Sequence, residues 1–174
     1  TRHGESQFNQ AGRIGGNSDL TDRGRGYARA LRGFVEAHAP DDLVVWSSTL
    51  LRARETARAV GRKSHPWKAL DEIDAGIYDG LTYAAIAQKA PQEAQARRAD
   101  KLRYRYPRGE SYEDVIRRLD PVVLEGERQQ RPLLIVAHNA VIRALYGYLC
   151  EIPAERIPHQ VIPLHSVIEL TPRA

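Results

Sequence analysis

One histidine near the start of the chain, set between an arginine and a glycine, constrains this sequence more than any other feature. The order is Arg2-His3-Gly4. A neutral imidazole can attack phosphorus, and a guanidinium can hold two phosphate oxygens in a fork. Gly4 has no Cβ, so the backbone can turn sharply there and leave room for a phosphoryl group. On these residues alone, a surface loop that carries a histidine and an arginine is an equal alternative.

Apolar runs alternate with helical patterns along the chain, which predicts a three-layer α/β/α fold with a mainly parallel sheet. Strands are expected at Leu43–Trp46, Trp67–Leu70, Leu133–Ala137 and Ser166–Leu170. Helices are expected from Thr21 to before Pro40, from Leu50 to Val60 behind a Ser47–Thr49 cap, from Thr82 to Ala90, from Pro91 to Arg103, from Ser111 onwards as one long helix, and from Asn139 to Cys150.

Length and charge narrow the class of protein. The 174 residues suit one domain, 1–174, and no apolar run approaches the roughly 20 residues that span a bilayer, so no membrane segment is expected. A formal net charge of +4 suits a phosphorylated small molecule or nucleic acid, although a solvated basic surface is the simpler explanation. The single Cys150 is expected to be buried, and it indicates a reducing compartment such as the cytoplasm.

The predicted topology brings two histidines to one edge of the sheet. His3 and His138 both follow strand ends, and Ser47-Ser48 with Arg52 follows a third. Ligands of open α/β sheets bind at the carboxyl ends of the strands, and the helix that opens at Asn139 favours an anion there. These residues predict a phosphate pocket with a nucleophile in it. No HExxH motif or closely spaced histidine pair supports a metal site, so neither a metal nor another cofactor is expected.

Four elements of the chain, in this order, resemble the histidine phosphatase superfamily, also called the phosphoglycerate mutase-like fold. They are Arg2-His3-Gly4-Glu5, Ser48-x-x-x-Arg52-x-x-x-Thr56-Ala57, Glu72, and Val136-Ala137-His138. Three longer strings resemble the fructose-2,6-bisphosphatase family, and the resemblance extends from Thr1 to Pro172. These strings are Trp67–Gly76, Tyr104–Asp114 and Ile162–Val167.

The resemblance implies a phosphatase that converts fructose 2,6-bisphosphate to fructose 6-phosphate and phosphate. His3 would attack the 2-phosphate and become phosphohistidine, and Glu72 would protonate the leaving oxygen. Asp71 and Asp74 are nearby rivals for that role. The family implies that Arg2, Arg52, Asn9 and His138 hold the phosphoryl oxygens, that Gly15 offers its backbone, and that Tyr83, Arg97, Lys101, Tyr112 and Arg143 surround the sugar and its 6-phosphate.

Other interpretations stay open at this point. The basic run Arg97–Arg108 is typical of a solvated face or of a nucleic-acid surface, although no nucleic acid is the expectation. A different histidine phosphatase, a mutase, and a non-catalytic basic module are the alternative functions. Asn139 stands where the family's vertebrate members have glutamine, so its reach toward the sugar is shorter. No Gly-Lys-Ser/Thr loop occurs, so a kinase domain is either absent or attached beyond this chain.

Overall fold

Three short parallel strands form the centre of the structure, a computed structural model that describes residues 1–171. Strands β1 (Val44–Ser48), β2 (Ser64–Trp67) and β3 (Leu133–Val136) are arranged in the order β2–β1–β3. The backbone of Arg2 adds a further parallel bridge to Ala137, just beyond β3. The chain therefore returns its first residues to the edge of the sheet where the strands end.

Eight α-helices lie within the described residues, most of them amphipathic and packed on the sheet. They are α1 (Gln7–Gln10), α2 (Asp22–His38), α3 (Leu51–Ala59), α4 (Tyr83–Lys89), α5 (Pro91–Ala99), α6 (Tyr112–Arg118), α7 (Asp120–Arg128) and α8 (Asn139–Leu149). Short 3₁₀ turns span Lys68–Leu70, Gly76–Tyr78 and Ala154–His159. Thr21 and Thr82 cap α2 and α4 through their side chains, as their positions in the sequence predict.

Successive residues of β1 face opposite sides of the sheet, and each side carries its own apolar cluster. Val45 packs with α2 and α3, in a cluster that includes Leu31 and Ala57. Trp46 packs with α6, α7 and α8, in a cluster that includes Val115 and Val141. Helices thus cover both faces, and the predicted three-layer fold with a parallel sheet is confirmed.

Two strand predictions differ from the structure. The second strand ends at Trp67, where the chain enters a 3₁₀ turn instead of continuing to Leu70. The strand expected at Ser166–Leu170 is wrong, because that segment has no regular structure. Its Ser166 carbonyl accepts hydrogen bonds from the Thr1 hydroxyl at 2.6 Å and the Tyr27 hydroxyl at 3.2 Å instead of from a neighbouring strand. Pro172 lies outside the described residues.

Helix ends account for most of the remaining differences. The long helix predicted from Ser111 breaks at Leu119, and α7 restarts with a proline in its first turn. Helix α5 ends at Ala99, since the Asp100 carboxylate accepts the Arg103 backbone N–H at 3.0 Å and turns the chain.

The start of α3 and the exposure of Cys150 also differ from the sequence predictions. The Ser47–Thr49 cap expected for α3 is wrong, because its N-cap residue is Leu50, and the Leu51 N–H donates instead to Asn17 Oδ1 at 2.7 Å. Cys150 is exposed, not buried, because it follows the last turn of α8. Within residues 1–171, no helix is both long and apolar enough to cross a membrane.

Candidate active site

The His3 ring is held against the end of the sheet with one nitrogen committed to the backbone. The His3 backbone N–H donates to the Ala137 carbonyl at 3.0 Å, next to the bridge between Arg2 and Ala137, and His3 is only 2% exposed. Nδ1 lies 2.6 Å from the Gly4 carbonyl oxygen, which can only accept, so Nδ1 carries the proton. Nε2 is left with its lone pair and accepts from Arg52 Nε at 3.1 Å. Nε2 is therefore the ring nitrogen with an electron pair available for a nucleophilic attack.

The surroundings keep this imidazole neutral. Burial is the main cause that lowers the pKa of His3 to about 3, and the Arg52 and Arg2 guanidiniums add to it. The hydrogen bond to Gly4 acts in the opposite direction and is outweighed. A neutral imidazole is the form that attacks phosphorus, so the cations that would hold a phosphate also keep the nucleophile free of a proton.

The second histidine lies directly behind the first. His138 follows β3, opens α8 and is fully buried, with its ring centroid 4.9 Å from that of His3. Its Nε2 lies 2.7 Å from the Ser48 hydroxyl. Burial holds the pKa of His138 well below its ordinary value, and Arg52 and His3 add to the effect. The two histidines meet as the strand-end pattern predicts.

Two guanidiniums border the histidines. Arg52, on α3, is 3% exposed and donates to His3 and, through NH1, to the Gly16 carbonyl at 2.6 Å. Arg2 donates through NH1 to the Ile162 carbonyl at 3.0 Å, while its buried Nε has no hydrogen-bond partner among the residues described. Both side chains can offer N–H groups to one anion next to His3.

Glu72 caps the helix that follows His138. Its carboxylate accepts the backbone N–H groups of Ile73 at 3.0 Å, Asn139 at 3.1 Å and Ala140 at 3.1 Å. The Asn139 side-chain Oδ1 is buried without a hydrogen-bond partner within residues 1–171.

The two rival acids are occupied elsewhere. Asp71 is bonded to Ser48, Thr49 and Lys68. Asp74 is exposed and accepts from Gly76 N. Of the three acids, Glu72 alone lines the cavity at the site.

A cavity of about 350 Å³ opens in front of His3. Cationic, amide and aromatic side chains line it together with two glycines of the loop after α1. The lining consists of Arg2, His3, Ser6, Phe8, Asn9, Gly12, Arg13, Ile14, Gly15, Arg52, Glu72, Ile73, Ala75, Tyr83, Tyr106 and Asn139. Its volume and polar lining suit a small phosphorylated molecule.

The glycine loop approaches the cavity in a left-handed conformation. Gly15 has φ +67°, and a Cβ there would lie 1.6 Å from Asp79 Oδ1, so only glycine fits without moving Asp79. The same Asp79 oxygen accepts the Gly16 N–H at 2.8 Å. Asn9 lines the cavity, but its Oδ1 accepts from the Ser6 N–H and hydroxyl and so caps α1.

A second set of cations and tyrosines lies beside the first. Arg97 donates to the Tyr106 hydroxyl at 2.8 Å and the Tyr83 hydroxyl at 3.0 Å, and its guanidinium stacks 4.5 Å from the centroid of the Tyr83 ring. Arg143 donates to the Tyr112 hydroxyl at 3.0 Å. The basic run is therefore partly ordered around tyrosines and is more than a solvated face.

Lys101, which lies near Arg97, and Arg143 both bind backbone carbonyls of the segment 158–160. Lys101 donates to the Pro158 carbonyl at 2.7 Å, and Arg143 donates to the Gln160 carbonyl at 2.6 Å. Burial is the main cause that lowers the pKa of Lys101 to about 8, with Arg143 and Arg97 adding to it. A carbonyl is a weak partner for a cation, and a phosphate would be a stronger one.

Sequence reasoning did not predict the contacts of several residues that shape the site. Thr56 accepts the Gly4 N–H at 3.0 Å, and His165 Nε2 accepts the Glu5 N–H at 3.0 Å, so both fix the loop after His3. Tyr106 holds Arg97, and Ser48 and Asp71 hold His138. Thr56 and Ser48 belong to the Ser48–Ala57 motif, which gave a signal for them. Nothing near His165 in the sequence indicates its contact, since its partner lies 160 residues away.

A buried neutral histidine, a second histidine, two arginines and a carboxylate at the carboxyl ends of parallel strands define a phosphoryl-transfer site that works through histidine. The chain belongs to the histidine phosphatase superfamily (branch 1), which it matches over residues 1–174. Among solved structures it is similar to Bacillus stearothermophilus YhfR, with a TM-score of 0.82 and 30% identity over 94% of this chain and 83% of that one. A mycobacterial glucosyl-3-phosphoglycerate phosphatase in complex with VO3 gives a TM-score of 0.79 and 31% identity over 92% of this chain and 83% of that one.

Two curated relatives share about half of their aligned residues with this chain, more than the two solved structures do. The chain is 50% identical over 173 residues to a 6-phosphofructo-2-kinase/fructose-2,6-bisphosphatase of Arabidopsis thaliana, covering 98% of this chain and 23% of that protein. It is 48% identical over 175 residues to a fructose-2,6-bisphosphatase of Saccharomyces cerevisiae, covering 100% of this chain and 38% of that protein. The chain thus spans well under half the length of these relatives.

Proposed function

We propose that this chain hydrolyses the 2-phosphate of fructose 2,6-bisphosphate through a phosphohistidine, giving fructose 6-phosphate and phosphate. The observation that carries the proposal is the neutral His3 Nε2 held at 3.1 Å from Arg52 Nε, at the wall of a cavity that a second set of cations adjoins. One set suits the phosphoryl group that moves, and the other suits a phosphate that stays. The names of the relatives point to the same substrate.

The first step forms a phosphorus–nitrogen bond and breaks the bond between phosphorus and the C2 oxygen. His3 Nε2 supplies the electron pair, while Arg2, Arg52, His138 and Asn9 would bind the phosphoryl oxygens and stabilise the charge that develops. Glu72 would give a proton to the leaving oxygen, so that fructose 6-phosphate departs as a neutral alcohol at C2.

The second step reverses these roles. Glu72, now without its proton, would take one from a water molecule that attacks phosphorus, and the phosphorus–nitrogen bond breaks to return neutral His3 and free phosphate. The three backbone N–H donors occupy three of the four lone-pair positions on the Glu72 carboxylate, which leaves one position on Oε2 for the proton.

The remaining cations are suited to the 6-phosphate. Arg97 contacts Tyr83 and Tyr106, which line the cavity, and Lys101 and Arg143 lie near Arg97. The present partners of these three cations are tyrosine hydroxyls and backbone carbonyls that a phosphate can replace. Tyr83 and Tyr112 would pack against the sugar. Gly15 would offer its backbone to the ligand, and Asn139, at the start of α8, would reach toward the sugar hydroxyls.

A comparison of substrates tests the proposal. The purified chain is given fructose 2,6-bisphosphate, 3-phosphoglycerate and p-nitrophenyl phosphate, and kcat/KM is measured for each. We expect fructose 2,6-bisphosphate to be hydrolysed with the highest kcat/KM, and labelled phosphate to be trapped on histidine by an alkaline denaturing quench. Isomerisation of 3-phosphoglycerate at a higher kcat/KM would identify a mutase instead.

A histidine phosphatase with another substrate is the second candidate, because one similar structure is a glucosyl-3-phosphoglycerate phosphatase. Adding that compound to the substrate comparison separates the two candidates. A gel shift with nucleic acid that disappears at high salt, without any phosphatase activity, would indicate the non-catalytic basic module.

The wider setting is part of the same proposal. The Arabidopsis thaliana relative carries a kinase in its name and the Saccharomyces cerevisiae relative does not, so a kinase domain attached to this chain and its absence both fit. A cytoplasmic location rests on the single cysteine and on the sugar phosphate substrate.

A further inference from the structure

A row of buried hydrogen bonds connects His138 to Ser48 and Asp71. His138 Nε2 lies 2.7 Å from Ser48 Oγ, and Ser48 Oγ lies 2.7 Å from Asp71 Oδ1. The three residues are 0%, 0% and 6% exposed. These hydrogen bonds connect the end of β3, the end of β1 and the loop that follows β2. Buried polar chains of this kind are worth more than isolated surface hydrogen bonds.

The position of each proton in this row of hydrogen bonds follows from counting donors. The Asp71 carboxylate also accepts from Thr49 N at 2.7 Å and Lys68 Nζ at 2.6 Å, so it is an acceptor in every contact. Burial alone would raise the pKa of Asp71, but the hydrogen bonds from Lys68, Ser48 and Thr49 outweigh it and hold that pKa below its ordinary value. The single Ser48 hydroxyl proton is therefore donated to Asp71.

The Ser48 oxygen then has two lone pairs to offer. The Leu50 backbone N–H takes one of them at 3.0 Å. The other must accept from His138, which places the proton of the neutral imidazole on Nε2 and leaves the lone pair on Nδ1. Nδ1 is buried and has no hydrogen-bond partner among residues 1–171. It is the ring nitrogen that remains for a ligand.

The charges around His138 oppose a proton on Nδ1 until an anion arrives. Arg52, His3, Arg2 and Arg118 all act to lower its pKa, after burial. The negative groups are Asp71, which reaches the ring through Ser48, and Glu72, which accepts from the adjacent Asn139 N–H. A phosphoryl dianion would offset the arginines and favour a proton on Nδ1, where it can be donated to a phosphoryl oxygen.

We propose that Ser48 and Asp71 are positioning residues that fix the tautomer of His138, so that the site binds a phosphoryl dianion together with one proton, held between His138 Nδ1 and a phosphoryl oxygen. The proton comes from solvent, and no covalent bond forms or breaks in this step. The inference rests on the proposed phosphoryl-transfer role of His138, and it does not depend on which phosphate ester is the substrate.

Nitrogen NMR of the full chain, labelled with ¹⁵N in histidine, tests the tautomer. In the ligand-free protein we expect a protonated Nε2 signal and an unprotonated Nδ1 signal for His138, assigned by their loss in His138→Gln. Ser48→Ala should shift both signals toward those of mixed tautomers. The matched control is Ser47→Ala, because Ser47 is equally buried at 0% exposure and its hydroxyl has no partner among the residues described. A protonated Nδ1 in the unaltered protein, or an unchanged Ser48→Ala spectrum, would overturn the proposal.

Calorimetry with inorganic phosphate tests the proton. Titrations near pH 8, where phosphate is mostly dianionic, are run in two buffers with different heats of ionisation. We expect close to one proton taken up per phosphate bound. Asp71→Asn should bind phosphate roughly tenfold more weakly at pH 8, since a hydrogen bond to a charged group is lost. It should recover most of that affinity near pH 6, where phosphate brings its own proton.

Two outcomes would refute the proposal. One is binding to the unaltered protein without proton uptake, and the other is an equal loss of affinity at both pH values in Asp71→Asn, which indicates a structural role only. Thermal unfolding of each variant checks that it folds, and Ser48→Ala replaces Asp71→Asn if the latter does not. Because the probe is inorganic phosphate, failure of fructose 2,6-bisphosphate as a substrate leaves these results unaffected.

Discussion

At the scale of single residues, the site depends on keeping a histidine neutral inside a group of cations. His3 is 2% exposed and lies beside Arg52 and Arg2, and this surrounding lowers its pKa to about 3. In the proposed mechanism, the same guanidiniums attract the negatively charged phosphate that the imidazole attacks. Each cation would then act twice, once on the nucleophile and once on the phosphoryl group.

Removal of the nucleophile should abolish the covalent intermediate. We expect His3→Ala to form no phosphohistidine from fructose 2,6-bisphosphate labelled at the 2-phosphate, and its kcat to fall at least about a thousandfold. The measurement is the label retained on protein after an alkaline denaturing quench. His65→Ala is the control, since His65 is exposed on β2 and should retain full labelling. Label on the His3→Ala protein would contradict the role of His3.

The charge of Lys101 should limit the reaction at high pH. Burial, with Arg143 and Arg97, lowers the pKa of Lys101 to about 8, so the ammonium loses its proton as the pH rises through that value. We expect kcat/KM for fructose 2,6-bisphosphate to fall above about pH 8, because this parameter reports the free enzyme. Lys101→Arg should keep its charge and extend the active range upward. The same change at exposed Lys89 is the control, and an unchanged profile in Lys101→Arg would exclude Lys101 from substrate binding.

At the scale of elements, the loop after α1 is shaped by two glycines whose surroundings differ. Gly12 and Gly15 have φ +64° and +67°, but a Cβ at Gly12 meets nothing within 4 Å, whereas one at Gly15 meets Asp79. Asp79 holds Gly16, whose carbonyl in turn accepts from Arg52. The loop therefore places a main-chain carbonyl against Arg52, which lies beside His3.

Alanine at the two glycines should separate backbone strain from the loss of this contact. Both substitutions carry the left-handed strain of about 1 kcal/mol, and Gly15→Ala also displaces Asp79. We expect Gly15→Ala to unfold at a lower urea concentration than Gly12→Ala, because its free energy of unfolding should be lower by about a further 1 kcal/mol. It should also lose more of its kcat/KM. Urea titration measures the first effect and steady-state kinetics the second. Equal losses of stability in the two variants would mean that the Asp79 contact contributes little.

Local patterns predicted those elements whose causes are local. The apolar run Leu133–Val136 and the capping threonines Thr21 and Thr82 appear where they were expected. Pro121 marks the break between α6 and α7, but apolar spacing on both sides of it predicted one helix. The segment 166–170 has an apolar content typical of a strand, yet its backbone is bonded to side chains of Thr1 and Tyr27. Such contacts depend on the whole fold.

In the candidate site, too, some features were predictable from the sequence and others depend on the whole fold. The motifs bring His3, Arg52 and His138 together as predicted, because strand ends meet at one edge of a parallel sheet. The hydrogen bonds that orient these residues were not predicted, because the strand ends place Ser48 near His138 without showing which atoms meet. Ser48 lies 90 residues from His138, and His165 lies 160 residues from Glu5.

At the scale of the whole molecule, the fold stabilises two uncharged histidines inside a positively charged centre. His3 and His138 are 2% and 0% exposed, between the apolar clusters on the two faces of the sheet. In the unfolded chain each would regain its ordinary pKa of about 6.5. Folding therefore excludes up to two protons at a pH between that value and the lower pKa of each folded histidine.

Acid should consequently destabilise the fold, and the sign follows from linkage. The folded pKa of His3, about 3, lies below the unfolded one, so between pH 6.5 and 3 the unfolded state binds a proton that the folded state does not. Stability from this group is fully present above about pH 6.5 and falls with decreasing pH, by about 1.4 kcal/mol per pH unit for each buried histidine. Urea unfolding between pH 7 and 4.5 measures the slope.

A substitution series attributes that slope to the buried pair. His3→Gln removes one titrating group, so its free energy of unfolding should decline less steeply with acid, by about 1.4 kcal/mol per pH unit, whatever its stability at pH 7. His65→Gln, at an exposed position, should keep the slope of the unaltered protein. Saturating phosphate should stabilise the folded state of the unaltered protein at every pH tested. Parallel curves for His3→Gln and the unaltered protein would show that His3 is charged inside the fold, and a charged His3 could not act as the nucleophile.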